Sequence, residues 1–176
     1  MTDRDSGSGE WVMLTYRLPR EPSAPRLALW RKLKRLGVAQ LADGLVALPA
    51  DARTREQLEW AAEEVEEAGG AAGVWLARPS TSALERDVAA RMNEARAQEF
   101  AEIADQARGA LDAPSGDRVA ALRRLRAQMR RMERRDYFRP PEREQARQAL
   151  RELAQHEVAQ HDQTQVATWP GHGVRA

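Results

Sequence analysis

The 176-residue chain has no cysteine. Disulfides and thiolate metal sites are therefore excluded, and a reducing, cytoplasmic setting is the expectation. Aromatic residues are sparse, at 5%, which argues for a largely helical fold over a β-rich one. No apolar run approaches the roughly 18 residues that a membrane-spanning helix needs. The opening MTDRDSGSGE lacks the apolar stretch of a secretory leader. Only three histidines occur, His156, His161 and His172. A spacing of five does not put the first two on one helical face, so neither a metal site nor a Ser-His-Asp arrangement is expected. No glycine-rich phosphate loop is present, since Gly69-Gly70 reads as a helix stop. An enzyme is not expected.

What the chain does have is charge, at 31% of residues, and its distribution says more than the net of +1. Trp11 to Leu48 carries seven Arg/Lys against two Asp/Glu. Pro49 to Asp112 carries seven against fourteen, and Asp117 to Arg151 twelve against five. Two basic blocks thus flank an acidic one. If they segregate in space the surface is polarised; otherwise the acidic helices neutralise the basic ones.

Hydrophobic periodicity divides the chain. Residues 1–10 read as a disordered leader. WVMLTYRL, residues 11–18, is a strand with Val12, Leu14, Tyr16 and Leu18 on one face. The turn PREPSAP leads into a helix with Pro25 in its first turn and Ser23 as a possible cap. Leu29, Leu33 and Leu36 form its buried stripe, with Trp30 at the edge, and it stops at Gly37. Val38–Leu41 and Leu45–Leu48 are two short strands joined through Asp43-Gly44, a hairpin signal. A second helix is expected to be capped by Thr54 with Gln57 and to turn Leu58, Ala61, Ala62 and Val65 inward. AGVWLA, to about Ala77, is the last strand. The order β-α-β-β-α-β over residues 11–79 predicts a ferredoxin-like sheet with both helices on one face.

Residues 82–158 read as a helical extension, so the fold class is α+β. Leu84, Val88, Met92, Ala95, Phe100 and Ile103 mark a helix to about Leu111. Ser115 or Asp117 is the expected cap of the next, whose seam is Leu122, Leu125, Met129 and Met132. After DYFRPP a last helix buries Ala146, Leu150 and Leu153, and 159–176 reads as a loose tail.

The first helix exposes Arg31, Lys32, Lys34 and Arg35 opposite its leucines, with Arg26, Arg17 and Arg20 nearby in sequence. The second basic block offers Arg123, Arg124, Arg130, Arg131, Arg134 and Arg135, along with Arg126. Arginine without lysine there favours bidentate contact with oxyanions over mere solubility. Two readings of these faces stand at this point. They meet phosphates, with counterion release as the driving term, or they are solvated or paired with glutamates such as those of Glu56–Glu67. Tyr137 and Phe138 read as a wedge at a helix-helix turn. Met13 and Thr15 share with Trp11 the strand face away from the two helices, which later helices or a second subunit must cover.

The stretches WVMLTYRLPREPSAPRLALWRKLKRLGV, LPADARTREQLEWAAEEVEEAGG and MERRDYFRPPEREQARQAL resemble the N-terminal region of the chromate-resistance protein B (ChrB) regulators, over roughly residues 11–155. A more distant likeness is to the ferredoxin-like module of phenylacetate-operon repressors, itself similar to the nuclease Cas2. The resemblance implies a transcriptional regulator whose N-terminal region contacts DNA, with no resident cofactor. Its expected partners are DNA, a second copy in a homodimer, and chromate or another oxyanion as effector. The typical regulator continues into a second domain, and this chain is expected to lack it, ending at Ala176. The Cas2-like design needs an aspartate at the end of the first strand. Here that strand reads Thr15-Tyr16-Arg17, so hydrolysis is not expected. Two other functions stay open: a non-enzymatic dimerisation or protein-interaction module, and an oxyanion-sensing domain.

Overall fold

The computed structural model describes residues 9–167, with side-chain surroundings as far as Val158. Most of the expected leader and the end of the expected tail lie outside the described residues. The chain forms two compact units. The first ends at Ala95 and takes in Arg135–Phe138; the second comprises Arg96–Arg134 and the chain from Arg139 on.

The first unit contains β1 (Trp11–Arg17), α1 (Ala24–Leu36), β2 (Ala39–Ala42), β3 (Leu45–Pro49), α2 (Ala52–Glu67) and β4 (Ala71–Ala77). The strands lie in the order β2-β3-β1-β4, and all neighbours are antiparallel. This is the ferredoxin-like plan that the order of elements predicts. Alternation along β1 sends Val12 and Leu14 to one face, level with Leu48 and Val46 of β3. All four are buried in one cluster with Leu29 and Leu33 of α1 and Leu58, Ala61 and Val65 of α2. The opposite face holds Trp11 and Ala47, which share the cluster with Val88 and Met92 of the following helix, α3 (Ser82–Gly109). A groove of about 450 Å³ remains there, lined by Trp11, Met13, Leu41, Ala77 and Leu84 among others.

Local signals set the helix ends, with corrections. Pro25 stands in the first turn of α1, but the Ser23 side chain makes no capping bond. Gly37 ends the helix at φ 73°, its N–H reaching the Leu33 and Lys34 carbonyls. The second helix starts earlier than Thr54 implies. Asp51 is its cap, accepting from the Thr54 N–H at 2.6 Å, while the Thr54 hydroxyl accepts from the Asp51 N–H at 2.9 Å. Thr54 is thus the last residue of the four-residue box rather than its first, because Ala52 and Arg53 already belong to the helix.

The Asp43-Gly44 hairpin forms as expected. Gly44 has φ 71°, its carbonyl accepts from the Tyr16 N–H at 2.8 Å, and a Cβ there would lie 2.4 Å from the Tyr16 carbonyl oxygen. Substitution Gly44→Ala therefore combines a left-handed penalty with a clash against backbone. We expect it to lower unfolding stability by about 2 kcal/mol or more, read as a reduced urea midpoint.

The second unit packs the later part of α3 with α4 (Ser115–Glu133) and α5 (Glu142–Ala167). Phe100, Ile103, Ala104 and Ala107 meet Leu125, Met129 and Met132 of α4 and Ala146, Ala149, Leu150 and Leu153 of α5. Of the expected inner residues, Leu84 is exposed, as is Ala95, and Leu122 is only half-buried. Neither Ser115 nor Asp117 caps α4, which follows Pro114 with no side-chain capping bond. The Ser115 hydroxyl instead donates to Glu157. Helix α5 continues to Ala167, through the first part of the segment that composition suggests is a tail.

Candidate nucleic-acid interface

At 100° per residue, Arg31, Lys34 and Arg35 fall within an arc of about 100° on α1, opposite Leu29 and Leu33. All three are exposed. The Lys34 ammonium sits 4.3 Å from the centre of the Trp30 ring, a cation-π contact. Trp30 is 49% exposed and Leu27 46% on this same side, so the outer arc is a basic strip with an apolar edge. The exposed aromatic beside the cations is a feature that the buried-stripe pattern alone understates.

Lys32 belongs to the other flank. Its ammonium donates to Glu64 of α2 at 2.6 Å, and its side chain is only 19% exposed. The packing of α1 against α2 thus quenches one cation of the helix and leaves the others facing solvent. Arg26 holds the preceding turn, donating to the Pro19 carbonyl at 2.9 Å and more weakly to that of Leu18. It lies roughly 7–14 Å along the axis from Arg31 and Arg35. Arg17, which ends β1, and Arg20, in the turn, are exposed.

The segment Arg135–Phe138 returns to this unit. Arg135 donates to the Lys34 carbonyl at 3.1 Å, and the Tyr137 hydroxyl donates to the Leu36 carbonyl at 3.0 Å. The last carbonyls of a helix have no partner within it, and side-chain donors satisfy them here. The same helix end is the negative pole of the macrodipole, where Lys34, Arg35 and Arg135 are electrostatically favoured. Phe138 stands 6.5 Å from Trp11, ring to ring and tilted, and Arg53 lies over Tyr137 at 5.8 Å. These aromatics dock the returning segment on the first unit, rather than wedging a turn between helices. Crowding marks the fit as well: a Cβ on Gly37 would lie 3.1 Å from the Arg135 Cβ.

The other arginines of the second block lie in the second unit. Arg123, Arg124, Arg126, Arg130, Arg131 and Arg134 of this stretch are exposed. Arg124 donates to Gln106 at 2.9 Å. Arg126 and Arg130 line a shallow cleft of about 330 Å³ with Glu133, Arg147 and Arg151. Arg147 and Arg151, on α5 four residues apart, are members of this cluster that the sequence reading passed over. Their signal was the Arg143-Arg147-Arg151 periodicity. Glu133 accepts from Arg147 at 3.0 Å and from Arg143 at 3.3 Å, and Glu144 accepts from Arg151 at 2.8 Å. The hydrogen bond from Arg151 is the main cause holding the Glu144 carboxyl below its ordinary range.

One arginine of the block is structural. Arg118 is buried and donates to Glu157 at 2.8 Å and to the Ala113 carbonyl. Among the described residues no group of three or more His, Asp or Glu is placed to hold a metal ion, and no helix is long and apolar enough to cross a membrane. His161 and His172 lie outside the described side chains.

No curated protein matches the chain. Residues 26–110, from the first turn of α1 to just past α3, match the family model described as Protein ChrB, N-terminal.

Proposed function

We propose that this chain is a DNA-binding module of a chromate-resistance regulator and that the basic arc of α1 meets the phosphate backbone. The observation that carries the reading is the cluster at the C-terminal half of α1. Arg31, Lys34 and Arg35 are exposed, and Arg135, a hundred residues later in the chain, bonds to the Lys34 carbonyl on the same unit. Each phosphate neutralised by such a group releases condensed counterions. Trp30 and Leu27 give the arc an apolar edge suited to sugar or base contact. The remaining exposed arginines of α4, Arg123, Arg124, Arg130, Arg131 and Arg134, extend the phosphate-binding set in the second unit. Lys32 drops out of it, because Glu64 holds its charge.

On this reading the module acts without catalysis. The end of β1, Thr15-Tyr16-Arg17, supplies no carboxylate for metal-assisted hydrolysis. It works as a homodimer in the cytoplasm, because a two-fold protein suits two half-sites. The test is fluorescence anisotropy with a labelled duplex from upstream of its own operon, alongside light scattering. The expected result is saturable binding, tighter than to a shuffled duplex of equal length, by a particle of twice the monomer mass. A stable particle indifferent to both duplexes would favour a protein-interaction module instead.

A further inference from the structure

We propose that the groove on the open face of the sheet binds a small apolar molecule that carries one carboxylate. All of its lining residues belong to the first unit. The sheet supplies the floor through Trp11, Met13 and Ala47, and α3 supplies a wall through Leu84 and Val88. These two α3 residues stand one turn apart on the same helical face. Val88 is 6% exposed, whereas Leu84 is 47% exposed. The helix therefore closes on the sheet from Val88 onward, and its first turn overhangs an unfilled space. Leu41, on the edge strand β2, lines the same space and is also exposed. Apolar side chains thus surround a gap that the described residues do not fill.

At about 450 Å³ the groove has the size of a small-molecule site, in which an apolar lining is combined with a few polar groups. Its charged lining residues are Arg78 and Arg91, both cationic. Arg91 is paired with Asp87 at 3.0 Å. Arg78, just past the end of β4, is exposed and forms no ion pair among the described residues. An anionic head therefore meets Arg78 without displacing a carboxylate, and a planar carboxylate matches the guanidinium fork. Burial of the apolar part supplies most of the affinity. That requirement excludes a small inorganic ion, which has no apolar surface to bury. The groove shares no residue with the basic arc of α1 or with the exposed arginines of α4, so it stands apart from the DNA reading.

The test is isothermal titration of the full chain with sodium octanoate at neutral pH and constant ionic strength, beside 1-octanol, sodium acetate and sodium sulfate. Octanoate is expected to bind saturably at one molecule per chain, octanol at least about tenfold more weakly, and acetate and sulfate not at all. Substituting Arg78→Gln should weaken octanoate at least about tenfold and leave octanol unchanged. Leu84→Asp places a carboxylate on the wall and should abolish octanoate binding, with an unchanged thermal midpoint as the check on folding. No saturable binding by the native chain, or uptake of many molecules per chain, would overturn the proposal. So would equal affinity for octanol, saturable binding of sulfate at this site, or octanoate binding that Arg78→Gln leaves intact.

Discussion

Reversing two charges on α1, Arg31→Glu with Lys34→Glu, is expected to lower duplex affinity at least about a hundredfold. Each charge-assisted contact contributes about 1.5–3 kcal/mol, and each reversal adds repulsion by a nearby phosphate. The two losses together exceed the roughly 2.8 kcal/mol that a hundredfold change requires. Folding should survive, because both side chains are exposed and neither forms an ion pair among the described residues. The cost to the helix is the Lys34–Trp30 contact and an unfavourable charge near the C-terminal pole, about 1 kcal/mol. Lys32→Gln is the matched control. Its ammonium is already bound to Glu64, so anisotropy titrations should show less than about a threefold change. Equal losses in the two variants would mean that the binding responds to total charge and not to this arc.

Arg118→Ala should lower stability by about 3 kcal/mol. Arg118 is 4% exposed, and its partner Glu157 bridges α4 to α5, also accepting from the Ser115 hydroxyl. Removing the guanidinium strands a partly buried carboxylate and the Ala113 carbonyl. The same pair gives a pH dependence. The Ser115 hydroxyl and then Arg118 hold the Glu157 carboxyl below its ordinary range. Its contribution is therefore complete above the unfolded value of about 4.3 and is lost as pH falls through the lower folded value. Urea unfolding at neutral pH should show the destabilisation of Arg118→Ala directly. As pH falls from about 5 through that lowered value, the gap between the variant and the parent should narrow. A gap constant across that range would contradict the assignment.

Local chemistry made much of this fold legible. Pro25 and Gly37 bracket α1, Asp43-Gly44 turns the hairpin, and each acts within a few residues. The sheet order followed from the succession of elements. What stayed hidden depends on partners distant in sequence. Arg135 and Tyr137 each reach a carbonyl 101 residues away, and nothing local distinguishes Arg135 from its neighbours. Arg118 resembles the other arginines of its block until Glu157, 39 residues on, is in place. Lys32 shared the basic face in a helical projection, but it sits on the flank that α2 covers. The α5 extension was obscured because QHDQTQVA is polar, although glutamine and alanine are good helix formers.

The slope of log affinity for duplex DNA against log salt tests the central claim most directly. Arg31, Lys34 and Arg35 alone imply a slope of roughly −3 for each bound copy, at about −0.9 per phosphate contacted. Removing the charges at Arg31 and Lys34 should make it shallower by roughly 2. An affinity that holds constant from roughly 50 to 200 mM salt, or a slope that the substitutions leave unchanged, would contradict the account.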